Sequence, residues 1–222
     1  MKIFLDTANL DSIKKFNDMG LLDGITTNPS LMSKESGNPK DAMKEITKII
    51  EGDVSLEVVS TEYSGMIEEG KHLREYGDNV VVKVPMTPDG LKACKSLSSE
   101  GVPVNVTLIF SANQALLAAK SGAKYVSPFI GRLDDIGQKG MKLIKDIKKI
   151  FDNYPEYKTQ ILVSSIRHPV HVVDAAKIGA DVVTLPPAVL DKMLQHPLTK
   201  IGLENFLADW EKIKDKNPDL KI

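Results

Sequence analysis

Short runs of β-branched and other apolar residues recur along the chain, each closed by a polar residue, Pro or Gly. They predict strands near 2–7, 24–28, 54–59, 80–85, 104–109, 125–130, 160–165 and 182–186. Stretches with Lys and Glu on one face separate them and predict helices, among them 40–51, 64–76, 88–99, 111–120, 136–151 and 169–178. Asn9 or Asp11, Asn38, Ser64 and Ser111 stand where a short polar side chain caps a helix N-terminus. Near-continuous apolar strands alternating with helices indicate a parallel sheet covered on both faces. Eight such units, beginning at the first residues, are what a (β/α)8 TIM barrel requires. The alternating rival is an open doubly wound sheet. It loses weight because no G-x-G-x-x-G follows the first strand and no phosphate-loop motif occurs.

A further helix is predicted over 197–216, where Leu198, Ile201, Leu203, Phe206, Leu207, Trp210 and Ile213 form an apolar stripe. With no ninth strand to cover, it either caps the barrel bottom or docks on a neighbouring subunit. No linker, fixed repeat or charge block marks a second domain, so residues 1–222 read as one barrel domain carrying this extra helix.

Side-chain alternation sorts each strand into a barrel-interior face and a helix-facing one. In 80–85, Val80, Val82 and Val84 share one face, and Val81, Lys83 and Pro85 the other. A lysine in an apolar strand is costly to bury unless paired, and burial favours the neutral amine that Schiff-base chemistry uses. A structural ion pair, or snorkelling from the strand end, is the competing explanation. The remaining strands add polar groups at their C-terminal halves, where barrel active sites are built. Asp6 ends the first strand, Thr26 and Asn28 share a face of the second, and Glu57 interrupts the third. Asn105 and Thr107 share a face of the fifth; Ser127 lies in the sixth and Ser165 ends the seventh. Two of the chain's three arginines, Arg132 and Arg167, follow the sixth and seventh strands. Their planar donor forks suit phosphate oxygens.

Composition narrows the class. The 222 residues are 42% hydrophobic, enough for a sizeable core, and 29 basic against 30 acidic side chains leave a net charge of −1. That balance argues against a nucleic-acid partner held by a broad basic face. No apolar run approaches the roughly 20 residues of a membrane span, so no membrane partner is expected. The lone cysteine, Cys94, allows no intrachain disulfide and fits a reducing, cytoplasmic setting. Cys94 reads as a small core or surface residue. His168 and His171 have metal-compatible spacing without a third ligand in sequence reach, so no metal is expected. The sequon Asn105-Val106-Thr107 falls in a buried strand.

Several ordered motifs carry a resemblance across nearly the whole chain. They are Asp6-Thr7, Gly24-Ile25-Thr26-Thr27-Asn28-Pro29-Ser30, Val80-Val81-Val82-Lys83-Val84-Pro85, Asn105-Val106-Thr107, Ser127-Pro128-Phe129-Ile130-Gly131-Arg132 and Ser164-Ser165-Ile166-Arg167. Together they resemble the transaldolase family, and the length resembles its small subfamily, which includes fructose-6-phosphate aldolases. The resemblance implies a class I aldol mechanism without metal or other cofactor. In it Lys83 forms the Schiff base, Asp6 exchanges the hydroxyl proton, and Glu57 with Thr107 holds the water of dehydration and hydrolysis. Thr26 falls within the matching motif; Asn28, Asn105 and Ser127 bind hydroxyls of the three-carbon unit, and Arg132, Ser165 and Arg167 bind the phosphate of sugar-phosphate substrates. Glu57, Phe129 and Asn105 resemble the transaldolase set, whereas the aldolase branch typically has Gln and Tyr at the first two positions. The resemblance further implies a homo-oligomer, a pentamer or decamer. Two rival functions stand beside a transaldolase of the pentose phosphate pathway: a fructose-6-phosphate aldolase and a non-catalytic sugar-phosphate-binding barrel.

Overall fold

The computed structural model describes residues 1–217 and 220. Eight parallel strands pair in sequence order and close into a barrel where the last meets the first. They are β1 Lys2–Asp6, β2 Gly24–Thr26, β3 Asp53–Glu57, β4 Val80–Pro85, β5 Val104–Ile109, β6 Tyr125–Pro128, β7 Gln160–Val163 and β8 Val182–Leu185. The helices among the described residues are α1 Leu10–Asp18, α2 Pro29–Met32, α3 Pro39–Ile49, α4 Tyr63–Arg74, α5 Pro88–Ser99 and α6 Ala112–Lys120. They continue as α7 Ile130–Asp135, α8 Gly140–Asp152, α9 Pro169–Ile178, α10 Pro187–Met193 and α11 Pro197–Lys216. This is the (β/α)8 barrel with an added C-terminal helix that the strand rhythm predicts.

Helix starts follow from local chemistry. Asn9, Asn38 and Ser111 accept hydrogen bonds from the backbone N–H groups of Ser12, Lys40 and Gln114, and Pro occupies the first turn of α2, α3, α5 and α9. Ser64 does not cap: α4 starts one residue earlier, behind Glu62, which makes no side-chain cap bond. Three short helices, α2, α7 and α10, sit in loops too brief to show a 3.6-residue period, and α7 separates from α8 at Gly137, whose φ is +78°. Several strands also end earlier than their apolar runs suggest. As a result Asn28, Phe129 and Ser165 lie just beyond strand ends rather than on strand faces.

Alternation along the strands builds two apolar regions of different size. Outward-facing Val82, Val84, Ile25, Leu56 and Val126 pack with Leu97, Met66 and Ile144 of the helix layer in the main core. Inward-facing Phe4, Val81, Tyr125, Leu162 and Val182 form a separate plug inside the barrel floor. Phe4 and Tyr125 meet edge to face at 5.9 Å, and the Tyr125 hydroxyl donates to Asp53 Oδ2 at 2.7 Å. One alternation step further stand Asp6, Lys83, Ser127 and Thr184 on the same strands and Ser164 just past the end of β7. The barrel interior thus changes from a dry floor to a polar layer over the span of two residues.

Helix α11 leaves its apolar stripe in solvent: Leu198, Ile201, Leu203, Phe206, Leu207 and Ile213 are all exposed, Phe206 by 75%. It therefore does not cap the barrel floor within one chain. Among the described residues no helix is long and apolar enough to cross a membrane.

Gly24 makes room for the plug, since a Cβ there would lie 2.5 Å from both the Phe4 ring and the Asp53 carbonyl oxygen. Gly24→Ala is expected to cost about 1–3 kcal/mol by overpacking. The check is a urea unfolding curve, with a lower midpoint and an unchanged slope; an unchanged midpoint would show that the floor has room to spare.

Candidate active site

The polar layer forms the floor of a cavity of about 520 Å³ at the C-terminal end of the strands. Asp6, Thr26, Asn28, Glu57, Lys83, Ser127, Phe129, Arg132, Ser165 and Arg167 line it, bringing ten of the twelve sequence-selected residues to one space. Asn105 and Thr107 do not line it. Both are fully buried in β5 beneath the surface of the cavity.

Lys83 is the most deeply placed cation. Its register on β4 sets it level with Glu57 of β3 and Asn105 of β5. Its Nζ lies 3.0 Å from Glu57 Oε2 and donates to the Thr27 carbonyl at 3.0 Å. The ion pair accounts for the lysine's burial: a buried ammonium needs a counter-charge, and Glu57 supplies it. Asp6 accepts from the Thr26 hydroxyl at 2.7 Å, and Thr26 meets Thr184 Oγ1 at 2.6 Å. Burial pushes the Asp6 carboxyl above the ordinary carboxylate range, and the nearby charge of Lys83, the Thr26 bond and the charge of Lys34 offset only part of that effect.

A second network fixes Ser127. Its hydroxyl donates to Asn105 Oδ1 at 2.7 Å, and Asn105 Nδ2 in turn donates to Ser55 Oγ at 3.2 Å. Asn105 therefore supports Ser127 from beneath. The Thr107 hydroxyl is buried with no hydrogen-bond partner, a rare condition for a polar atom in a closed core. Asn28 caps α2 through the Leu31 N–H at 3.0 Å.

At the other side of the cavity, α7 and the turn after β7 bring up the arginines. The Arg132 guanidinium lies over the Phe129 ring at 5.0 Å. Arg167 is paired with Asp135 Oδ2 at 2.7 Å. The turn beneath them is tight: Ser165 has φ +62°, and Gly131 donates its N–H to the Ser165 carbonyl at 3.1 Å. A Cβ on Gly131 would stand 2.1 Å from that carbonyl oxygen and 2.7 Å from Arg167 Nε. Leu108, with φ +59° at the irregular register of β5, also lines the cavity. Two non-glycine residues in the left-handed region, both in the lining, are the kind of local strain that clusters at working sites.

Sequence reasoning missed Thr184, Ser164, Ser55 and Lys34. The first three carried a readable signal, a hydroxyl at an interior position of an apolar strand. Lys34 lines the cavity from just beyond α2, where nothing in its local sequence marks it. His168 and His171 stack ring to ring at 3.8 Å. Among the described residues no group of three His, Cys, Asp or Glu side chains is arranged to hold a metal ion. Cys94 is buried in the core, and burial pushes its thiol up to about 12.

A lysine, two carboxyl groups and two guanidinium groups thus line one barrel mouth. The family model described as "Transaldolase/Fructose-6-phosphate aldolase" matches residues 3–220. The chain belongs to this family. A protein from Nitrosopumilus maritimus named "Probable transaldolase" is 86% identical over the full length of both chains. Another of that name from Aquifex aeolicus is 60% identical, covering 97% of this chain and 99% of its own. Among solved structures, a 3-hexulose-6-phosphate synthase from Salmonella typhimurium superposes with a TM-score of 0.65 at 21% identity, covering 86% of this chain and 91% of its own. That likeness concerns the barrel fold alone. This chain's cavity carries Glu57 beside Lys83 and Phe129 beneath Arg132.

The raised Asp6 carboxyl has a thermodynamic consequence. In the window between the unfolded and native pKa values the native state binds the extra proton. Stability therefore falls as pH rises through that window and stays lowered above it. Asp6→Asn removes the buried charge and should raise Tm above wild type at neutral pH, with the advantage vanishing near about pH 3, where the carboxyl is protonated in both states. Thermal melts across that range are the check, and a variant less stable than wild type at neutral pH would contradict the burial effect.

Proposed function

We propose that the protein is a transaldolase that moves a dihydroxyacetone unit from sedoheptulose 7-phosphate to glyceraldehyde 3-phosphate. The products are erythrose 4-phosphate and fructose 6-phosphate, as in the non-oxidative pentose phosphate pathway. The observation that carries this reading is the Lys83 amine, held on the cavity floor between Glu57 and the Thr27 carbonyl with Asp6 in the same lining.

Lys83 Nζ, having passed a proton to Glu57, attacks the ketose carbonyl carbon. Loss of water from the carbinolamine leaves an iminium linked to Lys83. Asp6, as carboxylate, takes the proton of the hydroxyl at the bond to be broken. The carbon–carbon electron pair moves into the iminium, giving an enamine, and the aldose phosphate departs. The enamine carbon then attacks the acceptor aldehyde, Asp6 returns its proton to the new hydroxyl, and water hydrolyses the product from Lys83. A carboxyl raised above its usual range suits a group that both accepts and donates in one cycle. The unpaired, buried Thr107 hydroxyl, on the strand next to Lys83, supports a role in holding the water beside Glu57. Asn28 and Ser127 bind hydroxyls of the three-carbon unit, with Asn105 setting Ser127. Arg132, Ser165 and Arg167 hold the phosphate, which displaces Asp135 from Arg167.

Transfer is favoured over release of free dihydroxyacetone by the side chain at 129. A phenyl ring packed under Arg132 has no hydroxyl to deliver a proton or water to the enamine, so the bound unit waits for an acceptor. The exposed stripe of α11, together with the family resemblance, supports a homo-oligomer in which this helix docks on a neighbouring subunit.

Borohydride treatment in the presence of fructose 6-phosphate should leave a covalent adduct on Lys83, detected by peptide mass spectrometry. Lys83→Ala should abolish both adduct and turnover; an adduct that survives the substitution would overturn the Schiff-base assignment. In a coupled assay, ketose cleavage should be faster with an acceptor aldehyde than without by about 100-fold, a transition-state difference of about 2.7 kcal/mol. Comparable rates would favour the aldolase. Deleting residues 197–222 should lower the sedimentation coefficient to that of a smaller assembly, and an unchanged profile would refute docking by α11.

A further inference from the structure

His171 stands behind the arginines, buried in the first turn of α9. Its Nδ1 accepts the backbone N–H of Arg167 at 3.3 Å, and its Nε2 lies 3.1 Å from Asp134 Oδ2. This pattern fixes the tautomer: Nδ1 is bare and Nε2 carries the proton, so the ring is neutral. Burial holds the imidazole below its ordinary pKa, and neighbouring His168 acts in the same sense, against the opposing charges of Asp134 and Asp174.

The two partners belong to the two segments that carry the arginines. Asp134 lies two residues beyond Arg132 on α7, and its other oxygen accepts the Gly140 N–H at 2.8 Å, which pins it to the start of α8. Arg167 lies two residues beyond the strained Ser165. At the near end the segments are already joined by backbone bonds, Ile130 N–H to the Ser164 carbonyl and Gly131 N–H to the Ser165 carbonyl, both 3.1 Å. His171 supplies the link at the far end. Without it the Arg167 N–H, just ahead of α9, loses its acceptor, and once phosphate displaces Asp135 from Arg167 the two segments are held at one end only.

We propose that His171 is a positioning residue of the anion site, its imidazole clasping α7 to the turn after β7 so that Arg132 and Arg167 converge on one phosphate. The proposal rests on the reading of these arginines as the phosphate-holding pair. It assigns His171 no contact with substrate; the residue acts through the two segments it joins.

The test compares the full-length wild type, His171→Ala, His171→Gln and Arg167→Ala. The dissociation constant of inorganic phosphate is measured by calorimetry, and KM and kcat with glyceraldehyde 3-phosphate and with unphosphorylated glyceraldehyde as acceptors. His171→Ala should weaken phosphate binding and raise KM for the phosphorylated acceptor by roughly tenfold, with kcat and the KM for glyceraldehyde changed less than about twofold. His171→Gln keeps a donor toward Asp134 at nearly the same volume. It should recover part of the loss, and it provides the comparison if the alanine variant fails to fold. Unchanged phosphate binding in both histidine variants, or equal losses for the two acceptors, overturns the clasp. Should Arg167→Ala alone lose phosphate selectivity, the clasp fails while the arginine site stands. If Arg167→Ala also leaves phosphate binding unchanged, both fail together.

Discussion

An ammonium group inside an apolar barrel cannot stand alone, and much of this molecule is arranged around that constraint. Lys83 is almost wholly shielded from solvent, so its charge must be met at short range, by Glu57 from the neighbouring strand and by the Thr27 carbonyl just past the end of β2. Removing one partner of a buried pair typically costs about 3–5 kcal/mol, because the other charge stays behind unpaired. The arrangement is therefore stable only as a set, yet the same set can pass a proton from nitrogen to carboxylate without rearrangement. In the proposed reaction, the pair that satisfies folding is also the one that readies the amine for attack.

Below the pair, the plug of Phe4, Val81, Tyr125, Leu162 and Val182 closes the barrel to water. Above it, the cavity is open to solvent and polar. On the strands that supply the plug, the step from one to the other takes a single alternation, which places Asp6 and Lys83 at the boundary between a low-dielectric floor and a wet mouth. Charges at such a boundary interact more strongly than at the surface. Asp6 shows the effect directly, its carboxyl raised by burial despite two cations and a hydrogen bond that oppose the shift.

The arginine end of the cavity follows a different logic. Arg132 and Arg167 are exposed, and Arg167 already has a partner in Asp135, so neither arginine is held by the barrel core. Their placement depends on backbone: the left-handed Ser165, the close approach permitted by Gly131, and the bonds that tie α7 to the turn after β7. Precision at one end comes from strand register and at the other from a clasped pair of loops, which is where Asp134 and His171 enter.

Strand rhythm, interior parity and the ordered motifs were legible in the chain because strand alternation is local. A residue and its second neighbour face the same way wherever the strand lies, so Asp6, Glu57, Lys83 and Ser127 could be assigned to one interior from their positions alone. Asn28, Phe129 and Ser165 line the cavity from just beyond the strand ends, whereas the apolar runs predict strands that include them, since strand ends depend on pairing with neighbours. Asn105 and Thr107 show the limit of parity, which gives the face but not the depth. How deep each is buried depends on how far each strand is staggered against the next. Lys34 and the His171 link were invisible because each rests on contacts between segments far apart in sequence. The sequence by itself determined the barrel and the inward set of polar residues, through a two-residue period that needs no partner. Only the tertiary structure decided which of them share a cavity and which charges meet, because distances across a closed barrel are set by stagger and loop packing.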